Sequence, residues 1–230
     1  AAFWRVPSPL AGEGQGEGAA NPRGIMTEPD LESSDFIERL RAGDRGAFAR
    51  LVRAHHNRLL AIARTLVNPA DAEEAVQEAW IAAHRALPRF EGRSALLTWL
   101  TRIVINQARM QLRRSGREVL FEPQESEGDD ALAHRFNRFG HWRQPPLNWE
   151  MAGPDALLTR DELQHCLEKN LAAMPDNQRL VLQLRDIQGM DFDAICNSLD
   201  VSASNVRVLL HRARARIFQL VDHFQETGEC

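Results

Sequence analysis

Apolar residues recur every three or four positions along most of this chain, and nowhere do they alternate with polar ones over the length of a strand. The pattern predicts an all-α protein. Asp35 and Glu38 have the spacing of a capping box that opens a first helix ending near Gly43. A second is expected from about Asp44 to Val67, with Phe48, Leu51, Val52, Leu59 and Ile62 as its apolar positions. Asn68, Pro69 and Asp71 mark the start of a third, because a capping side chain, a residue without an N–H and a carboxylate all suit a helix N-terminus. Its stripe is Ala72, Ala75, Val76, Ala79, Trp80, Ala83 and Leu87, and Pro88 ends it. Residues 89–94 then form a loop before a fourth helix that reaches about Arg114, with Leu97, Leu100, Val104 and Ala108 on its apolar side.

Periodicity fails over residues 120–156, where Gly128, Gly140, Pro145, Pro146 and Gly153 gather, and helices resume near Asp155 and continue to Phe224. The expected organisation is two small helical domains, 31–119 and 157–224, joined by a flexible linker over 120–156 and followed by a tail over 225–230. Residues 1–30 are expected to be a disordered extension. The first 25 are rich in Gly, Pro and Ala, lack the apolar core of a signal peptide and read like translated intergenic repeat DNA, so the native start is expected at Met26.

The most informative stretch is 201–217. At 100° per residue, Val206, Leu210, Ala213, Ile217 and Leu220 share one apolar stripe, while Ser204, Arg207, Val208, His211 and Arg212 point away from it. A shorter helix over 191–199 precedes it, and Asp200-Val201-Ser202 is a tight turn ending in an N-cap serine. That is a helix-turn-helix, whose second helix suits a major groove. Asp200 stands where such turns often have glycine, and an aspartate enters the left-handed region at modest cost.

Composition bounds the reading. A chain of 230 residues, 43% hydrophobic, can bury one core or two small ones. No apolar run approaches the roughly 18 residues that argue for a membrane span, so no membrane insertion is expected. The three cysteines, Cys166, Cys196 and Cys230, form neither a CxxC pair nor an even set, which argues against a disulfide scaffold or zinc cluster and for a reducing cytoplasm. The net charge of −4 conceals segregation: residues 48–119 hold twelve arginines against six acids, and residues 118–162 hold ten acids against four arginines. Only Lys169 is a lysine; a GC-rich genome explains that, and so does a preference for bidentate contacts to phosphate and guanine.

Two surfaces remain open to two readings. Trp99, Arg102, Asn106, Arg109 and Arg113 line up on the fourth helix, either as a solvated face or as a track for single-stranded DNA, with cations on phosphates and the indole as a stacking platform. Glu73, Glu74, Gln77 and Glu78 form either an exposed acidic face or a docking surface for a basic partner. No nucleophile elbow, phosphate loop or metal-ligand spacing occurs, and His55-His56 and His165-Cys166 are isolated neighbours. No catalytic residue, cofactor or metal is expected.

In order, these pieces resemble a sigma factor of the sigma-70 family, in the compact extracytoplasmic-function group that keeps only regions 2 and 4. The resemblance covers about residues 35–119 and 157–224. It is carried by Asp71-Ala72-Glu73-Glu74-Ala75-Val76-Gln77-Glu78-Ala79-Trp80, Phe90-Glu91-Gly92-Arg93-Ser94, Thr98-Trp99-Leu100-Thr101-Arg102-Ile103 and His211-Arg212-Ala213-Arg214. It implies a cytoplasmic transcription initiation factor that binds core RNA polymerase through the β′ clamp helices and the β flap. Docking on the clamp helices would fall to Asp71, Glu74, Gln77, Glu78 and Ile81. The −10 promoter element would be opened and read by Phe90, Arg93, Ser94, Trp99, Arg102, Asn106, Arg109 and Arg113, with Asn106 at the family's flipped-base position and residues 90–94 forming the pocket. The −35 element would be read as duplex by Ser204, Arg207, Val208, His211 and Arg212. Val208 and Leu209 depart from the small polar residue and the arginine frequent there. The run 140–150, with Trp142 and Trp149, is similar to linkers of sigma factors paired with zinc-containing anti-sigma proteins. The rival reading is a helix-turn-helix repressor or activator that binds a palindrome without polymerase, which leaves the acidic helix and the Trp99 stripe unexplained.

Overall fold

The computed structural model describes residues 31–117, 119 and 154–230. The expected extension with its start at Met26, and the linker from 120 to 153 with the run 140–150, lie outside the described residues. Among the described residues all regular structure is helical.

Helix α1 spans Ser34–Arg41 and is capped by Ser33, whose hydroxyl accepts the Phe36 N–H at 3.3 Å. The expected capping box at Asp35 and Glu38 is therefore displaced by two residues, because a serine one position ahead of the helix reaches the same unpaired N–H groups. Asp44 joins α1 to α2 (Arg45–Ala63): its Oδ1 accepts the N–H groups of Gly46 and Ala47, and its Oδ2 accepts two bonds from Arg39 at 2.9 and 2.7 Å. Those partners, Arg39 first, hold the Asp44 carboxyl below the usual carboxylate range. Helix α2 stops at Ala63, short of the expected Val67. The Thr65 hydroxyl takes the Ile62 carbonyl at 2.7 Å, and Leu66 and Val67 turn back onto Ala63.

The turn delivers Asn68 as the cap of α3 (Pro69–Ala86), and a short 3₁₀ turn at Leu87–Arg89 follows as Pro88 breaks the helix. Helix α4 (Leu96–Arg114) has no side-chain cap of its own; Glu32, far back in the chain, accepts the Leu96 N–H at 2.8 Å. The second group of helices is α5 (Pro154–Ala173), α6 (Asp176–Leu182), which runs into a π turn at Gln183–Ile187, α7 (Phe192–Leu199) and α8 (Ala203–Thr227). Residues 154–156, expected in the linker, begin α5, and α8 extends three residues past Phe224.

The apolar faces of both groups merge. Leu51, Leu59, Ile62, Val76, Leu100 and Ile105 belong to the same buried cluster as Leu180, Leu184, Ile195, Val206 and Leu210. Polar contacts reinforce the join: Arg179 donates to the Thr65 carbonyl through Nε and Nη2 at 3.0 and 2.6 Å, and Arg58 donates to the side chain and carbonyl of Gln188. The two units are packed, not strung apart.

Cysteine counting misleads here. Cys166 on α5 and Cys230 are joined in a disulfide across 64 residues of sequence, with Cα atoms 5.3 Å apart, and Cys196 is left free. An odd count is compatible with one bridge and one thiol, and the pairing comes from α8 folding back along α5, which spacing cannot reveal.

Candidate nucleic-acid interface

The helix-turn-helix is built as its sequence demands. Asp191 caps α7 by accepting the Ala194 N–H at 2.6 Å; Asp200 ends it in the left-handed region at φ 60°, its N–H on the Cys196 carbonyl at 2.8 Å. Ser202 then caps α8 through the Asn205 N–H at 3.3 Å. Val206, Leu210 and Ala213 are fully buried, Leu220 is buried and Ile217 is half-buried. On the other side Ser204, Arg207 and Val208 are exposed, while His211 and Arg212 are half-buried and so less open than the helical wheel implied.

Two contributors were missed in the sequence. The Phe192 ring at the start of α7 lies under the guanidinium of Arg207 at 5.6 Å and under that of Arg185, from the π turn, at 4.8 Å. An aromatic next to a helix cap, 15 residues before the arginine it supports, gives no periodic signal. Arg214 has the opposite fate: it is buried and paired with Asp186 of the π turn, with Nε on Oδ2 at 2.8 Å. One arginine of the quoted His211-Arg212-Ala213-Arg214 motif is thus internal.

On α4 the expected stripe divides. Arg102, Asn106 and Arg113 are exposed. Trp99 is half-buried with its ring 5.1 Å from Phe90, and Phe90 is itself buried, its carbonyl accepting from Arg41 Nε at 2.6 Å. The expected Phe90–Trp99 surface is thus a packed pair carrying the loop, not two free rings. Arg93 is exposed and ion-paired with Glu91 at 2.5 Å, and Ser94 is half-buried. Arg109 departs most from a free basic face. It donates to the Leu199 carbonyl at the end of α7 at 3.3 Å, while the Ser198 hydroxyl of α7 donates to the Thr98 carbonyl at 3.5 Å. Burial, then the neighbouring Arg113, pushes the Arg109 guanidinium below its usual value. Ile105, next to Thr98 on the helical wheel, is fully buried, and with these two bonds α7 covers one edge of the stripe.

On α3 the residues Glu74, Gln77, Glu78 and Ile81 are exposed and one helical turn apart, and Ile81 keeps 45% of its surface. Asp71 is half-buried and held by the cap, accepting from Asn68 Nδ2 at 2.8 Å. Glu73 leaves the patch for Arg64, at 3.1 Å.

The Sigma-70 region 2 family matches residues 51–118, and the Sigma-70 region 4 family matches residues 164–217. The ECF RNA polymerase sigma-E factor of Escherichia coli K12 is 32% identical over 187 residues, covering 81% of this chain and 93% of that protein. The chain belongs to the extracytoplasmic-function group of the sigma-70 family. It is a transcription initiation factor by family. The RNA polymerase sigma-H factor of Pseudomonas aeruginosa is similar at 31% identity over 193 residues, covering 81% of this chain and 92% of that protein. The fold is shared with CnrH, solved with the cytosolic domain of CnrY, at a TM-score of 0.54 and 23% identity over 82% of this chain and 96% of that one. It is shared also with the sigma factor RpoE of Bartonella quintana, solved with the anti-sigma factor NepR, at 0.51 and 21% over 76% and 96%. Among the described residues no helix of this sigma-70 family member is long and apolar enough to cross a membrane, and no cluster of metal-ligating side chains occurs.

Proposed function

We propose that this chain carries core RNA polymerase to promoters in the cytoplasm of a bacterium, with α3 as the docking helix and with residues 31–119 and 157–224 as the functional units. Glu74, Gln77, Glu78 and Ile81 meet the β′ clamp helices, and Asp71 fixes the start of that helix. The 90–94 loop and the exposed residues of α4 read the −10 element, and α8 reads the −35 element through Ser204, Arg207, Val208, His211 and Arg212, near the β flap. An anti-sigma protein is the expected inhibitor, in keeping with the partners named for the two solved relatives.

The observation that supports this most is the outward face of α8, where Arg207 stands exposed over Phe192 beside a capped helix start. A guanidinium so held is ready for a bidentate guanine contact, which gives about 1–3 kcal/mol of discrimination. Elements at −10 and −35 are about 25 base pairs apart, or about 85 Å of duplex. The 34 residues from 120 to 153 reach about 110 Å when extended. Both elements are therefore read together only after α7 leaves α4, and polymerase supplies the surfaces that hold the units apart. Run-off transcription with purified core tests the reading. Arg207→Ala is expected to abolish −35-dependent product while core binding persists, and full product from that variant removes Arg207 from the interface.

A further inference from the structure

We propose that Cys166 and Cys230 are a reversible redox site that clamps the end of α8 to α5. Three observations carry it. The two Cα atoms lie 5.3 Å apart, within the span a disulfide bridges without backbone movement. The chain is steered there: Gly228 ends α8 in the left-handed region at φ 72°, its N–H on the Phe224 carbonyl at 2.8 Å, and Glu229 N–H caps the Thr227 hydroxyl at 3.1 Å. The last turns of α8 also reach beyond the main core. Leu220 and Phe224 pack with Cys166, Leu163 and Leu167 in a small cluster separate from the main core.

The two sulfurs have different exposures, and this sets the order of events. Cys166 is buried and Cys230 is exposed, so a peroxide meets Cys230 first. The Cys230 thiolate attacks the peroxide, the O–O bond breaks, and a sulfenic acid and one water form. The Cys166 thiol then displaces the sulfenic oxygen as a second water and the S–S bond closes. Two thiols are oxidised by two electrons and one peroxide is reduced. A monothiol or dithiol reductant reverses the bond by exchange, taking the two electrons' worth of oxidation as its own disulfide. Cys196 is not a competitor in this chemistry: burial, then Asp193, pushes its thiol up and away from the reactive thiolate.

Because α8 starts with the proposed −35 contacts and ends at the bridge, oxidation sets the temperature up to which that surface persists; this consequence rests on the −35 reading, whereas the bridge itself does not.

The test uses the full chain treated with hydrogen peroxide or with dithiothreitol, then alkylated and digested. Peroxide is expected to protect two of the three cysteines and to yield one cross-linked peptide joining Cys166 to Cys230, with Cys196 still alkylated and dithiothreitol restoring all three. The oxidised chain is expected to melt on the order of 5–10 °C above the reduced one, a difference absent in both Cys230→Ser and Cys166→Ser. Cys230→Ser changes an exposed residue, so its folding is not in question. A cross-link to Cys196, over-oxidation of Cys230 without a bridge, or equal melting of the two forms overturns the proposal. A bridge and a melting shift without any matching rise in the temperature limit of promoter output uphold the redox site and sink the −35 assignment instead.

Discussion

Replacing Arg179 with methionine keeps an unbranched stem, shorter than the arginine, and removes every bond its guanidinium makes. Two donors fall on the Thr65 carbonyl across the join between the helical units; Nη1 also serves the carbonyls of Leu171, Ala172 and Met174 at the end of α5, and Nη2 pairs with Asp176 at 2.5 Å. A hydrogen bond to a charged group contributes about 1.5–3 kcal/mol. Two donors on one carbonyl count as one partner, and the Arg179 side chain keeps 21% of its surface, so water replaces part of what is lost. The lower end applies, about 1.5 kcal/mol for the join, with about 1 kcal/mol more for the three carbonyls that share a single donor group. Urea denaturation should therefore show a loss of about 2.5 kcal/mol or more, the pair with Asp176 adding to these two contributions. The part at the join corresponds to about a tenfold shift from closed to open, readable as energy transfer between dyes on α3 and α8. Core polymerase should then bind up to tenfold tighter, because less free energy is spent separating the units. A stability loss under about 0.5 kcal/mol, or an unchanged distance distribution, refutes the view that Arg179 holds the closed form.

Arg214→Met is expected to cost about 2 kcal/mol in urea denaturation, below the range for a fully buried pair because Asp186 keeps 32% of its surface, and Asp186→Asn should cost less. Phe192→Leu removes the ring beneath Arg207 and Arg185 and should weaken −35 DNA binding in a holoenzyme gel shift about threefold, in keeping with about 0.5–1 kcal/mol for an exposed cation–π contact. Asp44→Ala should destabilise the chain at pH 7. Because the folded carboxyl titrates below its unfolded value, the benefit of Asp44 is present above that unfolded value and is lost as pH falls through the folded one; denaturation at pH 7 and pH 3 should show the gap closing with acid.

Features set by neighbours in sequence were legible, and those set by neighbours in space were not. Asn68-Pro69 and Ser202 announce helix starts because a cap acts on N–H groups two or three residues away, and the left-handed Asp200 was implied by the short turn it closes. The exposure of Arg207 and Val208 followed from helical phase. Phase also placed Arg109 on a free face, and there it failed, because α7 arrives from 90 residues later in the chain and its last carbonyl claims the guanidinium. The burial of Arg214 is also set in space: its partner Asp186 reaches it from the π turn, 28 residues earlier in the chain. Glu32 capping α4 and Cys230 meeting Cys166 are likewise consequences of tertiary approach.

Under the proposed −10 reading, the bond from Arg109 to the Leu199 carbonyl makes one side chain the property of two rivals. A nucleic-acid strand that needs this guanidinium must evict the end of α7, and an intact α7 contact must evict the strand. Thermodynamic reciprocity then fixes the exchange rate: each increment by which the folded chain favours its own embrace is subtracted in full from its apparent grip on a promoter, and each increment of promoter grip weakens the embrace by the same amount. Tightness and responsiveness are thus a single adjustable quantity in this protein, set at the face where the two helices touch.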